Sequence, residues 1–152
     1  MCLQTRITFI AILLITLVRK VRLPLRILTK VTPLSLAGLH FIWPLKGPIT
    51  QGFNGALNKG IDIATNKGTP IKAAEKGKVI YSGPVTGYGY ILILSHNSKN
   101  TVLSVYSHAT GLRVKLGNQV QKGDILALLE GNSFHFEIRQ DGQAINPVPY
   151  LY

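Results

Sequence analysis

From Ile61 onward, short apolar runs recur every ten residues or so, separated by glycine-bearing turns. Runs rich in β-branched residues predict strands over Ile61–Ala64, Pro70–Ala74, Gly77–Ser82, Tyr90–Ser95, Thr101–Ser107, Ile125–Leu129 and Ser133–Arg139. Their spacing predicts an all-β domain, an antiparallel sandwich or barrel. No segment of that domain carries a helical period; residues 3–23 would be helical only if placed in a membrane. Within Ile61–Ala64, Ile61 and Ile63 point one way and Asp62 the other, four positions after Asn58. A carboxylate on a mostly apolar strand needs a metal, a cation or hydrogen-bond donors to offset its desolvation. The run Ser133–Arg139 alternates as well: Phe134, Phe136 and Ile138 form one face, and Ser133, His135, Glu137 and Arg139 form the other.

Two stretches share one grammar. Residues 67–80 and 116–126 each read glycine turn, short strand, Lys-Gly turn and second strand. This is the hairpin pattern of barrel-sandwich folds, lipoyl and biotinyl carriers among them. Such a carrier needs a modifiable lysine at an exposed hairpin tip, beside Met, Asp or Ala, and no tripeptide of that kind is present.

Composition agrees with a turn-rich β domain: only 15% of residues are charged, and there are 15 glycines and 8 prolines. The net charge of +11 is unevenly placed. Residues 1–40 hold six basic residues and no acid, so the remainder is mildly basic. A basic surface suits nucleic acid, anionic lipid or an anionic wall polymer, but no nucleic-acid-binding motif appears. The single cysteine, Cys2, allows no internal disulfide, which leaves an exported location open. Residues 1–40 are read as a hydrophobic, basic N-terminal segment and residues 41–152 as the domain. The uncharged run over residues 7–18 is short for a membrane span and has the length of a signal-peptide core, although basic residues follow it rather than precede it. It reads as an inner-membrane anchor or export signal, or as a non-native leader; a second reading takes residues 19–30 as the basic part and 31–37 as the core.

Three histidines terminate or occupy predicted strands: His96, His108 and His135. One Asp and up to three His on adjacent strands are candidates for zinc, which takes three or four N, O or S ligands and keeps an open position when catalytic. For a single histidine the structural role is the default; His96 is expected to cap a turn, and His40, ahead of the domain, is assigned no role.

From Phe41 to Leu151 the chain resembles the M23 (LytM, lysostaphin-type) peptidases, most nearly the murein hydrolase activators of the NlpD type. The resemblance is carried by Trp43-Pro44, Lys59-Gly-Ile-Asp-Ile-Ala64, Gly68-Thr-Pro-Ile71, Gly87-Tyr-Gly-Tyr90, Tyr106-Ser-His108, Val120-Gln-Lys-Gly-Asp124, His135-Phe-Glu-Ile-Arg139 and Asn146-Pro147. It implies the LytM sandwich-hybrid fold and a place in the bacterial cell envelope, in the periplasm. In active members the resemblance assigns zinc to Asp62, to His135 and to a third ligand whose position here is Asn58. It assigns catalytic roles to His108 and to a histidine whose position here is Ser133. The glycine-rich loop before Ser133 is also shortened. The resemblance therefore implies a non-catalytic domain without a cofactor, whose groove of Asn58, Asp62, His108, Ser133 and His135 binds and activates a peptidoglycan amidase or binds peptidoglycan. The alternative is a zinc endopeptidase cutting peptidoglycan cross-bridges, with His108 or His96 completing the metal site.

Overall fold

The structure is a computed structural model and describes residues 34–152; the apolar run 7–18 and its basic flank lie outside the described residues. These form ten strands: β1 (Ile49–Gln51), β2 (Ile61–Ala64), β3 (Pro70–Lys72), β4 (Gly77–Val85), β5 (Gly89–Ser95), β6 (Val102–Thr110), β7 (Gln119–Val120), β8 (Ile125–Leu129), β9 (Ser133–Gln140) and β10 (Gln143–Ile145). One turn of 3-10 helix follows at Val148–Tyr150. The fold is thus almost wholly β and antiparallel, as the spacing predicts. All seven predicted strands form; β1, β7 and β10, each of two or three residues, are additions.

The main path runs β1-β2-β9-β6-β5-β4-β7, with β10 on β9, while β3 pairs with β8 and β8 with the end of β6. The switch on β6 is local. Residues 102–106 pair with β9, whereas Ala109 and Thr110 pair with β8. Between them His108 takes a positive φ of 60°, a left-handed conformation unusual for a residue with a side chain. The strand thereby leaves one neighbour and takes another.

The alternation read from the sequence sorts the two faces. Ile61 and Ile63 of β2, Leu92 and Leu94 of β5, Tyr106 of β6 and Phe134, Phe136 and Ile138 of β9 are fully buried. They share one core cluster with Ile71 of β3 and Leu126 and Leu129 of β8. Tyr106 and Phe136 lie 5.3 Å apart between ring centres. Burial of this apolar face is the main stabilising term. Leu36 joins the same cluster, and Phe41 bridges Leu151 in parallel, so the packed unit takes in residues ahead of Phe41.

The two similar stretches explain themselves in space. β3 pairs with β8 and β4 with β7, so each repeat clasps the other. The clasp is reciprocal: Ala73 N donates to Asp124 O and Gly123 N to Ala73 O, both at 2.8 Å, and Val79 exchanges bonds with Gly117 and Asn118 in the same way.

Candidate functional site

The strand faces turned away from the core build a groove. Its floor is Ile91 and Ile93 of β5 with Leu103 and Val105 of β6, and Tyr81 and Tyr88 also line it. Asn58, Lys59, His135, Glu137 and Arg139 supply its polar lining, and the volume is about 520 Å³. β5 and β6 are therefore apolar on both faces, which an antiparallel strand needs only when both faces are covered or used.

Lys59 donates to the Gly55 carbonyl; the other polar residues, together with Asp62, form one hydrogen-bonded chain. Asp62 and His135 face each other in register across β2 and β9. His135 Nδ1 lies 2.6 Å from Asp62 Oδ1, and His135 Nε2 lies 3.1 Å from Glu137 Oε1. Arg139 Nε donates to Glu137 Oε2 at 2.7 Å. At the other end Asn58 Nδ2 donates to Asp62 Oδ2 (3.3 Å) and to Gln51 O (3.4 Å). The amide is oriented by its oxygen, which accepts the Gly60 N–H at 3.0 Å. Asn58 is only 4% exposed. Asn54 Oδ1 accepts the N–H groups of Ala56, Leu57 and Asn58, which fixes the turn carrying the amide.

Burial alone would lower the basicity of His135, but the hydrogen bonds and charges of Glu137 and Asp62 outweigh it and raise its pKa above the ordinary histidine value. Glu137 is the mirror case. Burial would raise its carboxyl, and His135 and Arg139 more than offset this and lower it. An imidazolium donating from both nitrogens to two carboxylates is the state these shifts favour.

The side chains present do not fit a zinc ion. Zinc requires lone pairs from three or four ligands. Here both nitrogens of His135 face carboxylates, and Asn58 turns its N–H groups toward Asp62 with its oxygen already bonded. Among the described residues no group of three or more His, Cys, Asp or Glu side chains is placed to hold a metal.

The remaining candidates lie apart from this chain. Ser133 is exposed at the start of β9, opposite Ala64. His108 sits at the kink of β6 beside the Tyr88 ring, 6.3 Å between centres. His96 is buried in a different network: Nδ1 is 2.7 Å from Lys76 O and Nε2 2.7 Å from Ser104 Oγ, which lies 2.9 Å from the buried Tyr106 hydroxyl. Burial lowers the His96 pKa, outweighing the Lys76 carbonyl and the charge of Glu75, and the fully buried Tyr106 hydroxyl is pushed up to about 12. Instead of merely capping a turn, His96 ties two strands together, and both its nitrogens are engaged. His40 bonds to Tyr152 Oη at 2.8 Å, and its backbone N–H donates to Glu75. Sequence reasoning did not single out Glu137 and Arg139 as partners of His135, although the alternation of β9 places them on its face. It also missed the groove floor, for which the unbroken apolar runs Tyr90–Leu94 and Val102–Leu103 were the signal.

The sequence profile of peptidase family M23 matches residues 56–147. The lipoprotein NlpD/LppB homologue of Pseudomonas aeruginosa is 41% identical over 117 residues, 72% of this chain and 39% of that protein. The murein hydrolase activator NlpD of Escherichia coli is 37% identical over the same share of this chain and 30% of its own length. This chain thus spans well under half the length of either relative. A zinc-containing peptidase from Vibrio cholerae superposes with a TM-score of 0.65 at 27% identity, covering 70% of this chain and 39% of that one.

Proposed function

The chain belongs to peptidase family M23, and on that premise we propose that it is a non-hydrolytic domain of the bacterial cell envelope. In this reading its groove binds and activates a peptidoglycan amidase, and it works in cell-wall remodelling. The carrying observation is the Asn58 amide, which presents N–H groups rather than its oxygen to Asp62. With His135 held between two carboxylates, the family's zinc positions are joined to one another instead of open to a metal. The groove offers what a protein partner needs: an apolar floor, aromatic rings and a polar end. Similarity to proteins named lipoprotein and murein hydrolase activator supports the envelope location and the activating role.

The reading is tested by adding the purified full chain to a cognate amidase on peptidoglycan sacculi, with and without a zinc chelator that is removed before the amidase is added. Stimulation indifferent to the treatment is expected. A chain that neither stimulates any cognate amidase nor binds sacculi would sink it. The second reading is a zinc endopeptidase, favoured by the adjacency of Asp62 and His135 and by the fold shared with a zinc-containing peptidase. Zinc-dependent loss of cross-linked muropeptides, with no amidase present, would establish it.

A further inference from the structure

A second concavity, of about 490 Å³, opens where the start of β4, the β5–β6 turn and β7 meet. Ser95, His96 and Asn97, at its base, are bonded within the protein, but its other polar side chains differ from those of the groove. In the groove the central polar groups are bound to one another. Lys76, Lys78, Ser98, Asn100, Gln119 and Gln121 line the second cleft, and none of these six side chains makes a hydrogen bond or ion pair among the described residues.

Their arrangement follows from register. Lys78 faces Gln119 and Gly77 faces Val120; Lys76 and Gln121, the residues flanking this short ladder, line the cleft as well. Side chains two apart on a strand share a face. The result is two ammonium groups and two carboxamides grouped at the β4–β7 edge, all exposed. Ser98 and Asn100 form the wall beside them. No carboxylate lines the cleft, and Glu75, which acts electrostatically on His96 beneath it, is already paired with Lys122 at 3.0 Å. The floor is held in place: His96 binds the Lys76 carbonyl from below and ties it to Ser104.

Resting on the cell-wall reading above, we infer that this cleft is a second binding site, separate from the groove. Its ligand is a peptide-substituted, N-acetylated glycan that bears carboxylates. Carboxamide side chains present a donor and an acceptor together, which matches acetamido and peptide amide groups. Ammonium groups match carboxylates. Two cations in a lining that is otherwise uncharged and polar or apolar are too few for a ligand held by charge alone, since such polymers are bound through many cationic contacts. The groove then holds the protein partner while the cleft holds the wall.

The test is cosedimentation of the purified full chain with sacculi, with chitin (acetamido groups but no carboxylates) and with long-chain polyphosphate. The variants are Lys76→Glu with Lys78→Glu, and Gln119→Ala with Gln121→Ala; all four positions are solvent-facing, and thermal melts verify folding. The native chain is expected to bind sacculi better than either control. The lysine variant should weaken sacculus binding about tenfold, the loss of two exposed charge pairs, and the glutamine variant should weaken it as well. Native binding by both variants, or polyphosphate binding as tight as sacculus binding, would overturn the assignment. Amidase stimulation is read separately. Its absence, with sacculus binding intact and sensitive to the cleft variants, fails the activator reading and leaves the cleft standing.

Discussion

Asp62 Oδ1 lies 2.6 Å from His135 Nδ1, and the two residues sit directly opposite each other on β2 and β9. The carboxylate between two isoleucines is thus compensated by protein groups: an imidazole on one oxygen and an amide N–H on the other. Glu137 and Arg139 extend the chain along β9. These contacts join the turn before β2 to the outer face of β9 at the polar end of the groove.

The raised pKa of His135 sets a direction for pH. Its protonated form stabilises the fold fully below about pH 6.5, and that contribution is lost as pH rises through the raised value. Glu137, lowered, contributes above its ordinary value and loses this as pH falls through the lowered one. His96, lowered by burial, acts oppositely to His135, contributing above about pH 6.5 and losing stability on acidification. Wild-type melts alone therefore mix two slopes. The stability lost in His135→Asn should be larger near about pH 5.5 than near about pH 8.5. An equal loss at both would remove the imidazolium from the account.

Asn58 offers a sharper contrast. Asn58→Ala removes a donor to Asp62 and the acceptor for Gly60 N–H, at a cost of about 1–3 kcal/mol. Asn58→Asp keeps the acceptor but sets a second carboxylate against Asp62, so it should be the more destabilising of the two above pH 6. Urea denaturation decides the order. If Asn58→Asp were the more stable, the residue would be acting as an acceptor or ligand toward this site.

Much of this was legible in the sequence. The alternation of Ile61-Asp62-Ile63 and of Phe134 to Ile138 placed every one of those side chains on its observed face. β1 escaped because all three of its residues are exposed, so no apolar pattern marks it, and β7 has only two residues. Glu137 as the second partner of His135 escaped for a different reason. A period of two says which residues share a face, but not which nitrogen meets which oxygen. Glu137 was in view on the correct face, but only the side-chain geometry shows His135 held between it and Asp62.

Tyr106 is fully buried, and its hydroxyl accepts the Ala74 N–H at 2.9 Å while meeting Ser104. Tyr106→Phe preserves the packing but strands that N–H. We expect a loss of about 1–3 kcal/mol in urea unfolding. A neutral effect would mean that the Tyr106–Ser104–His96 network contributes little.

Gly60 lies just before β2, with its backbone against β9. A Cβ there would fall 2.1 Å from the Phe136 carbonyl oxygen, so the backbone itself must move. Gly60→Ala should cost about 1–3 kcal/mol or more, read as a lowered melting temperature, and it should displace Asp62 from His135. An unchanged melting temperature would show that the two strands separate here without penalty.

In the proposed reading Asn58, Asp62, His135 and Glu137 satisfy one another and leave no metal site. Zinc stoichiometry of the purified full chain, by elemental analysis after dialysis against a zinc-containing buffer, tests it most directly. A ratio near zero, unchanged in Asp62→Ala and His135→Ala, is expected. A ratio near one that falls in both variants would overturn this reading in favour of the zinc endopeptidase.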